Sequence, residues 1–227
     1  MTDEQNLIRW SEALSGIART GLAFTENLYE RERYEEVLHV AADIHSHISE
    51  QDESSEKITE WMESVGKGVP GYVTPKVAIG AVVGNDEGEM LLIQRSDSGV
   101  WLFPTGFADV GYSAAEIAEK EVLEETGMEV QATRIISILD GVRARFTRMP
   151  LYSIVFQCKV IGGSLKPHPL ECDDVGFFQE DALPKPLAGS GTWVEHAFSA
   201  IRGEPIEVQF DEPRRPVWKS KNEKTQE

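Results

Sequence analysis

The chain has 227 residues and a formal net charge of −17 at pH 7, because 39 acidic residues outnumber 22 lysines and arginines. This charge argues against a nucleic acid or an anionic membrane surface as the main binding partner. The residues are 41% hydrophobic, which is enough for a core, but no apolar run approaches the ~18–20 residues that span a bilayer. The acidic, polar N-terminus MTDEQN is unlike a signal peptide, so we expect a soluble, cytoplasmic protein.

The length has room for one ordinary domain and a small additional one. Two cysteines occur, Cys158 in a strand-like run and Cys172 in a predicted loop. Neither belongs to a CxxC pair, so the sequence predicts reduced thiols and no structural zinc site.

Apolar residues at helical spacing predict an all-helical domain over residues 1–66. The first helix is predicted to end at Gly21 and the second to begin near Asn27, while the polar stretch 49–56 separates the second helix from a short third one. The predicted apolar faces are Leu7, Trp10, Leu14 and Ile17, then Tyr34, Val37, Leu38, Ala41, Ile44 and Ile48, then Ile58, Trp61, Met62 and Val65. The Gly/Pro-rich stretch GKGVPGYVTP follows, and residues 67–71 within it are the predicted linker.

After Pro75 the pattern changes to strands. The runs KVAIGAVV and EMLLIQR flank a turn at 85–88, and further strands are predicted near 130–139, 152–161 and 175–178, with a helix near 192–201. Strands that alternate with two helices predict an α/β fold with a mixed sheet over residues 72–211. Residues 212–227 have little apolar periodicity and are predicted to be extended or disordered.

The segment 106–128, GFADVGYSAAEIAEKEVLEETGM, is the most informative stretch of the chain. Ser113 and Glu116 predict a capping box, and Gly127 stands where a helix of about a dozen residues needs a left-handed residue. Isolated glutamates at helical spacing usually form a solvated face, but clustered carboxylates also suit Mg²⁺ or Mn²⁺. Three glutamates here stand at i, i+3 and i+4 on one helical face: Glu121, Glu124 and Glu125.

This segment resembles the Nudix box, whose pattern is Gly, five residues, Glu, seven residues, then Arg-Glu-apolar-x-Glu-Glu-x-Gly-apolar. Tyr112 stands where the first Glu belongs and Lys120 replaces the Arg, two positions that usually form a structural ion pair in the family. Glu116 and Lys120, at i and i+4, are a candidate substitute pair. The matching positions are Gly106, Glu121, Val122, Glu124, Glu125, Gly127 and Met128.

Nearly the whole chain also resembles a Nudix subgroup that has a helical N-terminal extension and cleaves nucleoside diphosphates linked to another group. The resemblance implies a Nudix α/β/α sandwich with a mixed sheet, preceded by a small all-helical domain. It also implies CDP-choline- or ADP-ribose-type substrates and a homodimer, whose helices build the interface or wall the pocket; a folded but idle extension is the alternative. Thr105 and Ile79 depart from the Gly and Arg that are common there. The matching stretches are GLAF at 21–24, Tyr29, RYE at 33–35, VTPKV at 73–77, GFADVG at 106–111, VGFF at 175–178 and Leu183-Pro184.

The resemblance implies that water attacks one phosphorus of the diphosphate and gives a nucleoside monophosphate and X-phosphate. A divalent metal would polarise phosphoryl oxygens and lower the pKa of bound water. The general base stays open between Glu171, in the loop PLECDDVGFF, and a box glutamate, Glu124 or Glu125; the loop carboxylates could equally be a solvated surface. The predicted metal ligands are the Gly106 carbonyl and the side chains of Glu121, Glu124 and Glu125.

Four arginines are candidates for phosphate binding. Arg95, at the end of its strand, could face a phosphate or cap the sheet edge. The basic island of Arg143, Arg145 and Arg148 lies between two strands, and it could bind phosphate or be ordinary exposed surface. His45 and His47 would point to different faces of their helix, so we expect a surface pair and not a metal site.

Two other functions are compatible with the same fold. One is a nucleotide sensor that binds its ligand without cleaving it, and the other is a sanitiser of modified nucleoside triphosphates. Intact box glutamates and the lack of a basic helix-turn-helix pattern favour an enzyme over a sensor.

Overall fold

We describe the protein from a computed structural model, over residues 2–48, 54–63, 73–109, 111–189 and 191–213. The predicted linker at 67–71, Val65, part of the polar stretch 49–56 and most of the predicted tail at 212–227 lie outside these residues. Among the helices described, none combines the length and the apolar character needed to cross a membrane.

The described residues of the N-terminal part form three helices, α1 (Asp3–Phe24), α2 (Leu28–Ser46) and α3 (Ser54–Glu63). The second helix begins beside Asn27 as predicted, and the Asn27 side chain caps it. The first helix continues past Gly21, where the sequence predicted its end. A Cβ atom at Gly21 would lie 2.3 Å from the ring of Tyr34, so this glycine permits close contact between α1 and α2 and does not end the helix.

The buried side of α1 differs from the predicted one. Trp10 and Ile17 are 49% and 61% exposed, whereas Trp61 of α3 is buried as predicted. Small side chains let α1 approach α2 closely, and the Ser11 hydroxyl donates a hydrogen bond to the Ala41 carbonyl at 2.7 Å. Trp10 and Ile17 therefore remain outside this contact, whereas Leu14 of the predicted face packs against the helical core. The buried residues of α1 are Gln5, Ile8, Ser11, Ser15, Ala18 and Leu22.

The C-terminal part is a mixed sheet with strand order β3-β2-β1-β6-β5-β8, in which β4 also pairs with β1 and β7 with β2. The β1/β6 and β5/β8 pairs are parallel and the others antiparallel. Cys172 begins β7 and is buried opposite Arg95, so its predicted place in a loop is wrong. The strands are β1 (Lys76–Gly84), β2 (Met90–Arg95), β3 (Trp101–Leu102), β4 (Thr105–Phe107), β5 (Met128–Asp140), β6 (Leu151–Gly163), β7 (Cys172–Phe178) and β8 (Gln209–Phe210).

One helix covers each face of this sheet. Ile79, Ala81 and Val83 of β1 pack with α4 (Ala114–Thr126), whereas Val82 between them packs with α5 (Trp193–Ile201). The alternation follows from the two-residue period of a strand. The predicted α/β/α sandwich with a preceding helical unit is confirmed. Its register also places β4 beside the first half of β1, with Gly106 opposite Ile79, and so brings Gly106 against α4.

Candidate active site

The helix that carries the glutamates begins and ends at the predicted residues. The Ser113 hydroxyl accepts a hydrogen bond from the Glu116 N–H at 3.3 Å, and the Glu116 carboxylate accepts one from the Ser113 N–H at 2.6 Å. Gly127 has φ 71°, and its N–H donates to the Leu123 carbonyl at 2.9 Å. The buried Ile117 and Val122 fix the rotation of α4 against the sheet. That rotation turns two of the three glutamates toward β4.

Glu121 lies directly against Gly106. A Cβ atom at position 106 would be 2.2 Å from the Glu121 carboxylate, a distance at which no side chain fits. The glycine is therefore required by the approach of a carboxylate and not by a backbone torsion. Desolvation by burial raises the pKa of Glu121, and the negative charges of Glu124 and Glu171 raise it further, while Lys120 lowers it.

Glu125 is the most deeply buried acid among the box glutamates, with 4% of its surface exposed. Its carboxylate accepts a hydrogen bond from the Thr105 N–H at 2.9 Å. Desolvation raises the pKa of Glu125 to about 8, and the charges of Glu121 and Glu171 add to this, against the opposing effects of the Thr105 hydrogen bond and Arg95. The Glu125 carboxylate is buried near Glu121 and Glu171 and accepts a hydrogen bond from the Thr105 backbone, so a bound cation would stabilise its charged form.

Glu124 is turned toward solvent and pairs with Lys120, whose Nζ lies 2.9 Å from the Glu124 carboxylate and 3.3 Å from Asp109. These hydrogen bonds and charges raise the pKa of Lys120. The expected Glu116–Lys120 pair is wrong, because the Glu116 carboxylate is already engaged by the Ser113 backbone in the capping box. Lys120 instead ties α4 to the segment after β4.

The site has the oxygen ligands that a hard divalent cation prefers, but not all of the candidate ligands converge. Within the described parts of the chain, no three His, Cys, Asp or Glu side chains converge closely enough to hold a metal ion. The structure does bring together Glu121, Glu125 and the Gly106 backbone, and the two carboxylates have raised pKa values. Carboxylate and carbonyl oxygens are the ligands that Mg²⁺ and Mn²⁺ prefer, and a cation would relieve the crowded charge.

Glu171 stands at the edge of this carboxylate group. Its negative charge contributes to the raised pKa values of both Glu121 and Glu125, which places it near them. The Glu171 carbonyl accepts a hydrogen bond from the Ser96 N–H at 3.0 Å, so the loop is attached to the end of β2. The side chain itself is 62% exposed and can reach outward.

Arg95 lies at the edge of the sheet, as one of its two predicted roles requires, and phosphate binding stays a prediction. Its guanidinium makes a two-point contact with Asp97, at 2.9 and 2.6 Å, and this contact holds the pKa of Asp97 at about 2. Arg95 also lowers the pKa of Glu125 through its charge. The residue therefore closes the turn at the sheet edge while it contributes positive charge to the carboxylate group.

The basic island lies elsewhere. Arg143 contacts Asp211 and the Glu212 carbonyl, and Arg148 pairs with Glu4 of α1 at 2.8 Å. Arg143 and Arg148 line a cavity of about 1250 Å³ between the helical part and the sheet, which none of the box glutamates lines. Arg145 is exposed in the same turn, with φ 61°. The structure thus brings only Arg95, of the four arginines, toward the carboxylates, and phosphate binding by the other three stays a prediction.

Two contributors were not identified from the sequence. Thr105 was noted only as a departure from the family pattern, yet its backbone N–H is a hydrogen-bond donor to Glu125. His168 lies in the loop before β7, and its N–H donates to the Glu125 carbonyl at 3.1 Å. Backbone donors leave no trace in side-chain patterns. The histidine, however, stands in the unusual sequence Lys166-Pro167-His168-Pro169, which could have drawn attention to it.

Comparisons with known proteins agree with this geometry. A family model described as the NUDIX domain matches residues 74–196, and one described as the UDP-X-like, N-terminal oligomerisation domain matches residues 5–62. YjhB of Bacillus subtilis (strain 168), a candidate ADP-ribose pyrophosphatase, is 31% identical over 205 residues, which are 88% of this chain and 95% of that protein.

The solved structures that resemble the chain include the following two. One is an ADP-ribose pyrophosphatase from Streptococcus suis 89-1591, with 33% identity and a TM-score of 0.54 over 61% of this chain and 100% of the other. The other is a UDP-X diphosphatase, with 27% identity and a TM-score of 0.56 over 92% of this chain and 100% of the other. Because the NUDIX family model covers more than half of the sequence and includes the whole glutamate helix, the chain belongs to the Nudix family and is a Nudix hydrolase.

Proposed function

We propose that the protein is a divalent-metal-dependent pyrophosphohydrolase that cleaves a nucleoside diphosphate linked to another moiety into a nucleoside monophosphate and X-phosphate. The observation that carries this proposal is the approach of the Glu121 carboxylate to Gly106 and of the Glu125 carboxylate to the neighbouring Thr105 N–H, near Glu171. The relatives named for ADP-ribose and UDP-X hydrolysis support the substrate class, since two of them match both the helical and the catalytic parts. CDP-choline belongs to the same chemical class.

The residues fit a Mg²⁺ or Mn²⁺ ion held by Glu121, Glu125 and the Gly106 carbonyl, with Glu124 available if it leaves Lys120. When bound, the ion supplies charge neutralisation at the phosphoryl oxygens and a lower pKa for a coordinated water. Glu171, at the exposed edge of the group, is the proposed general base that accepts the proton of the attacking water. Arg95 adds positive charge beside the substrate phosphates.

A substrate panel tests the proposal. ADP-ribose, CDP-choline, a UDP-sugar and nucleoside triphosphates are incubated with Mg²⁺, with Mn²⁺ or with EDTA, and the products are identified by ³¹P NMR. We expect the diphosphate-linked compounds to give a monophosphate and X-phosphate only with metal. Glu125→Gln and Glu121→Gln should each lower kcat by about two to three orders of magnitude, because a ligand oxygen and its charge are lost together.

The panel also separates the two alternative functions. A sanitiser would turn over triphosphates faster than the diphosphate-linked compounds. A sensor would bind one of them, by calorimetry, without any metal-dependent product. Either result would overturn the proposed reaction while leaving the family assignment intact.

We infer in addition that the protein is a homodimer that associates through α1. Trp10, Ile17 and Phe24 are spaced by seven residues and exposed along one side of the helix, the spacing of a helix-packing stripe. The family description of residues 5–62 as an oligomerisation domain supports a second copy as the occupant. Ile17 and Phe24 also border the large cavity, so the same helix can wall a pocket.

Two buried, unpaired thiols agree with the proposed cytoplasmic location.

A further inference from the structure

The loop between β6 and β7 closes the C-terminal end of the glutamate helix. Three backbone N–H groups at alternate positions donate to three successive carbonyls, Ser164 to Gly127 at 3.2 Å, Lys166 to Thr126 at 2.8 Å and His168 to Glu125 at 3.1 Å. The last carbonyls of a helix have no partner within it, so these bonds satisfy groups that would otherwise need water. The loop is thereby attached to the residue that carries the buried carboxylate.

His168 is the last of these three attachment points and the closest to Glu171. Its carbonyl accepts hydrogen bonds from the N–H groups of Glu171 at 3.3 Å and Cys172 at 3.0 Å. Pro167 and Pro169 flank it, and they restrict the backbone on both sides because the ring fixes φ and disfavours the helical region for the preceding residue. The His168 backbone is therefore held between Glu125 on one side and Glu171 on the other.

The imidazole of His168 faces the Glu171 carboxylate. Its Nδ1 lies 4.0 Å from the Glu171 Oε2, and this buried nitrogen has no hydrogen-bond partner. The Glu171 side chain is mostly exposed, so a rotation of that side chain can shorten the separation to hydrogen-bond distance at little cost. A buried nitrogen without a partner gains by making this bond.

We propose that His168 is a positioning residue: its Nδ1–H donates a hydrogen bond to one oxygen of the Glu171 carboxylate and leaves the other oxygen to take the proton of the attacking water. This inference rests on the proposed function, in which Glu171 is the base. The histidine does not touch the substrate or the reacting water. It acts by fixing the orientation of the Glu171 carboxylate. Orientation matters because proton transfer is fast only when the base points at the attacking water.

A double-mutant cycle tests the proposal on the full chain, with Mg²⁺ and the best substrate of the panel. His168→Leu should lower kcat about 10- to 50-fold with KM within about twofold, the loss typical of one hydrogen bond to a charged group. His168→Asn, whose amide can donate from a similar position, should retain activity within about threefold of the wild type. In the Glu171→Gln background, His168→Leu should lower kcat by less than about twofold further, since the carboxylate that His168 positions is gone. Lys166→Leu, which keeps the backbone bond of the same loop, is the matched control and should be nearly as active as the wild type.

NMR of the protein without substrate tests the same inference independently of turnover. The ¹⁵N signals of the His168 ring, assigned by their loss in His168→Leu, should show a protonated Nδ1 whose shift changes in Glu171→Gln. Equal losses from His168→Leu in both backgrounds, or an unchanged ring signal in Glu171→Gln, would overturn the positioning role. A fully active Glu171→Gln enzyme would instead remove Glu171 as the base and the positioning role with it, and a wild type inactive on every substrate would count against the proposed function alone.

Discussion

Replacing the buried carboxylate of Glu125 by an amide should stabilise the metal-free protein and should do so more strongly as the pH rises. The Glu125→Gln side chain keeps an oxygen that can accept the Thr105 N–H bond, so the contact to β4 survives. What disappears is an ionisable group that is almost fully buried beside two other acids.

The expected size follows from the shift of the Glu125 pKa from 4.5 to about 8. The folded protein holds this proton more tightly than the unfolded chain does, so the free energy of unfolding of the wild type falls as the pH rises from the unfolded pKa to the folded one. Each pKa unit is worth about 1.4 kcal/mol, so the wild type should lose about 3 kcal/mol relative to Glu125→Gln between pH 5 and pH 7.5.

Urea unfolding in EDTA, followed by tryptophan fluorescence at several pH values across this range, measures the difference directly. Glu124→Gln is the matched control: its carboxylate is exposed and paired with Lys120, so this variant should follow the pH dependence of the wild type. Addition of Mg²⁺ at pH 7.5 should then raise the stability of the wild type and leave Glu125→Gln nearly unchanged, because a ligand stabilises only the state that binds it. Parallel pH dependences for the wild type and Glu125→Gln would refute the reasoning that Glu125 is desolvated and charge-crowded.

Three further outcomes are expected. Gly106→Ala should keep the fold by circular dichroism but lose Mg²⁺-dependent activity, because its methyl group would displace the Glu121 carboxylate; activity near that of the wild type would contradict the close approach. Glu171→Gln should lower kcat by about two to four orders of magnitude with little change in KM, and steady-state kinetics that show only a KM effect would assign the residue to substrate binding. Ile17→Glu should convert the proposed dimer to a monomer in light-scattering measurements, whereas Ile161→Glu, a similarly exposed substitution on β6, should not; equal masses for both variants would contradict an interface through α1.

The sequence predicted those features that depend on local signals. The capping box at Ser113, the left-handed Gly127 and the long strands were all found in place, because each depends on neighbouring residues or on a long alternating pattern. The convergence of Glu121 with Gly106 could be anticipated only from the family resemblance, since the two residues lie on different elements.

Features that depend on competition between partners were not predictable. Lys120 had acidic neighbours on both sides in the helix, and the capping box decided which of them was free. The apolar stripe with Trp10 predicted a core face, but the small side chains of Ser11 and Ala18 contact the other helices from a different side of α1. The strands β3, β4 and β8 have two or three residues each, too few for an alternation to be recognised.

The glutamates occupy the last turns of α4, which ends at Thr126. Aligned peptide dipoles leave partial negative charge at that end of a helix, so the helix backbone and the carboxylates both attract a cation. Because the loop N–H groups already bond to the last carbonyls, the helix itself contributes at most about 0.3–1 kcal/mol to a cation there, in addition to what the side chains contribute. An anionic phosphate, in contrast, is disfavoured by the same helix end and by the carboxylates until an ion offsets their charge. For the proposed metal-dependent reaction, the direction of α4 thus favours an order of binding in which the metal precedes or accompanies the nucleotide.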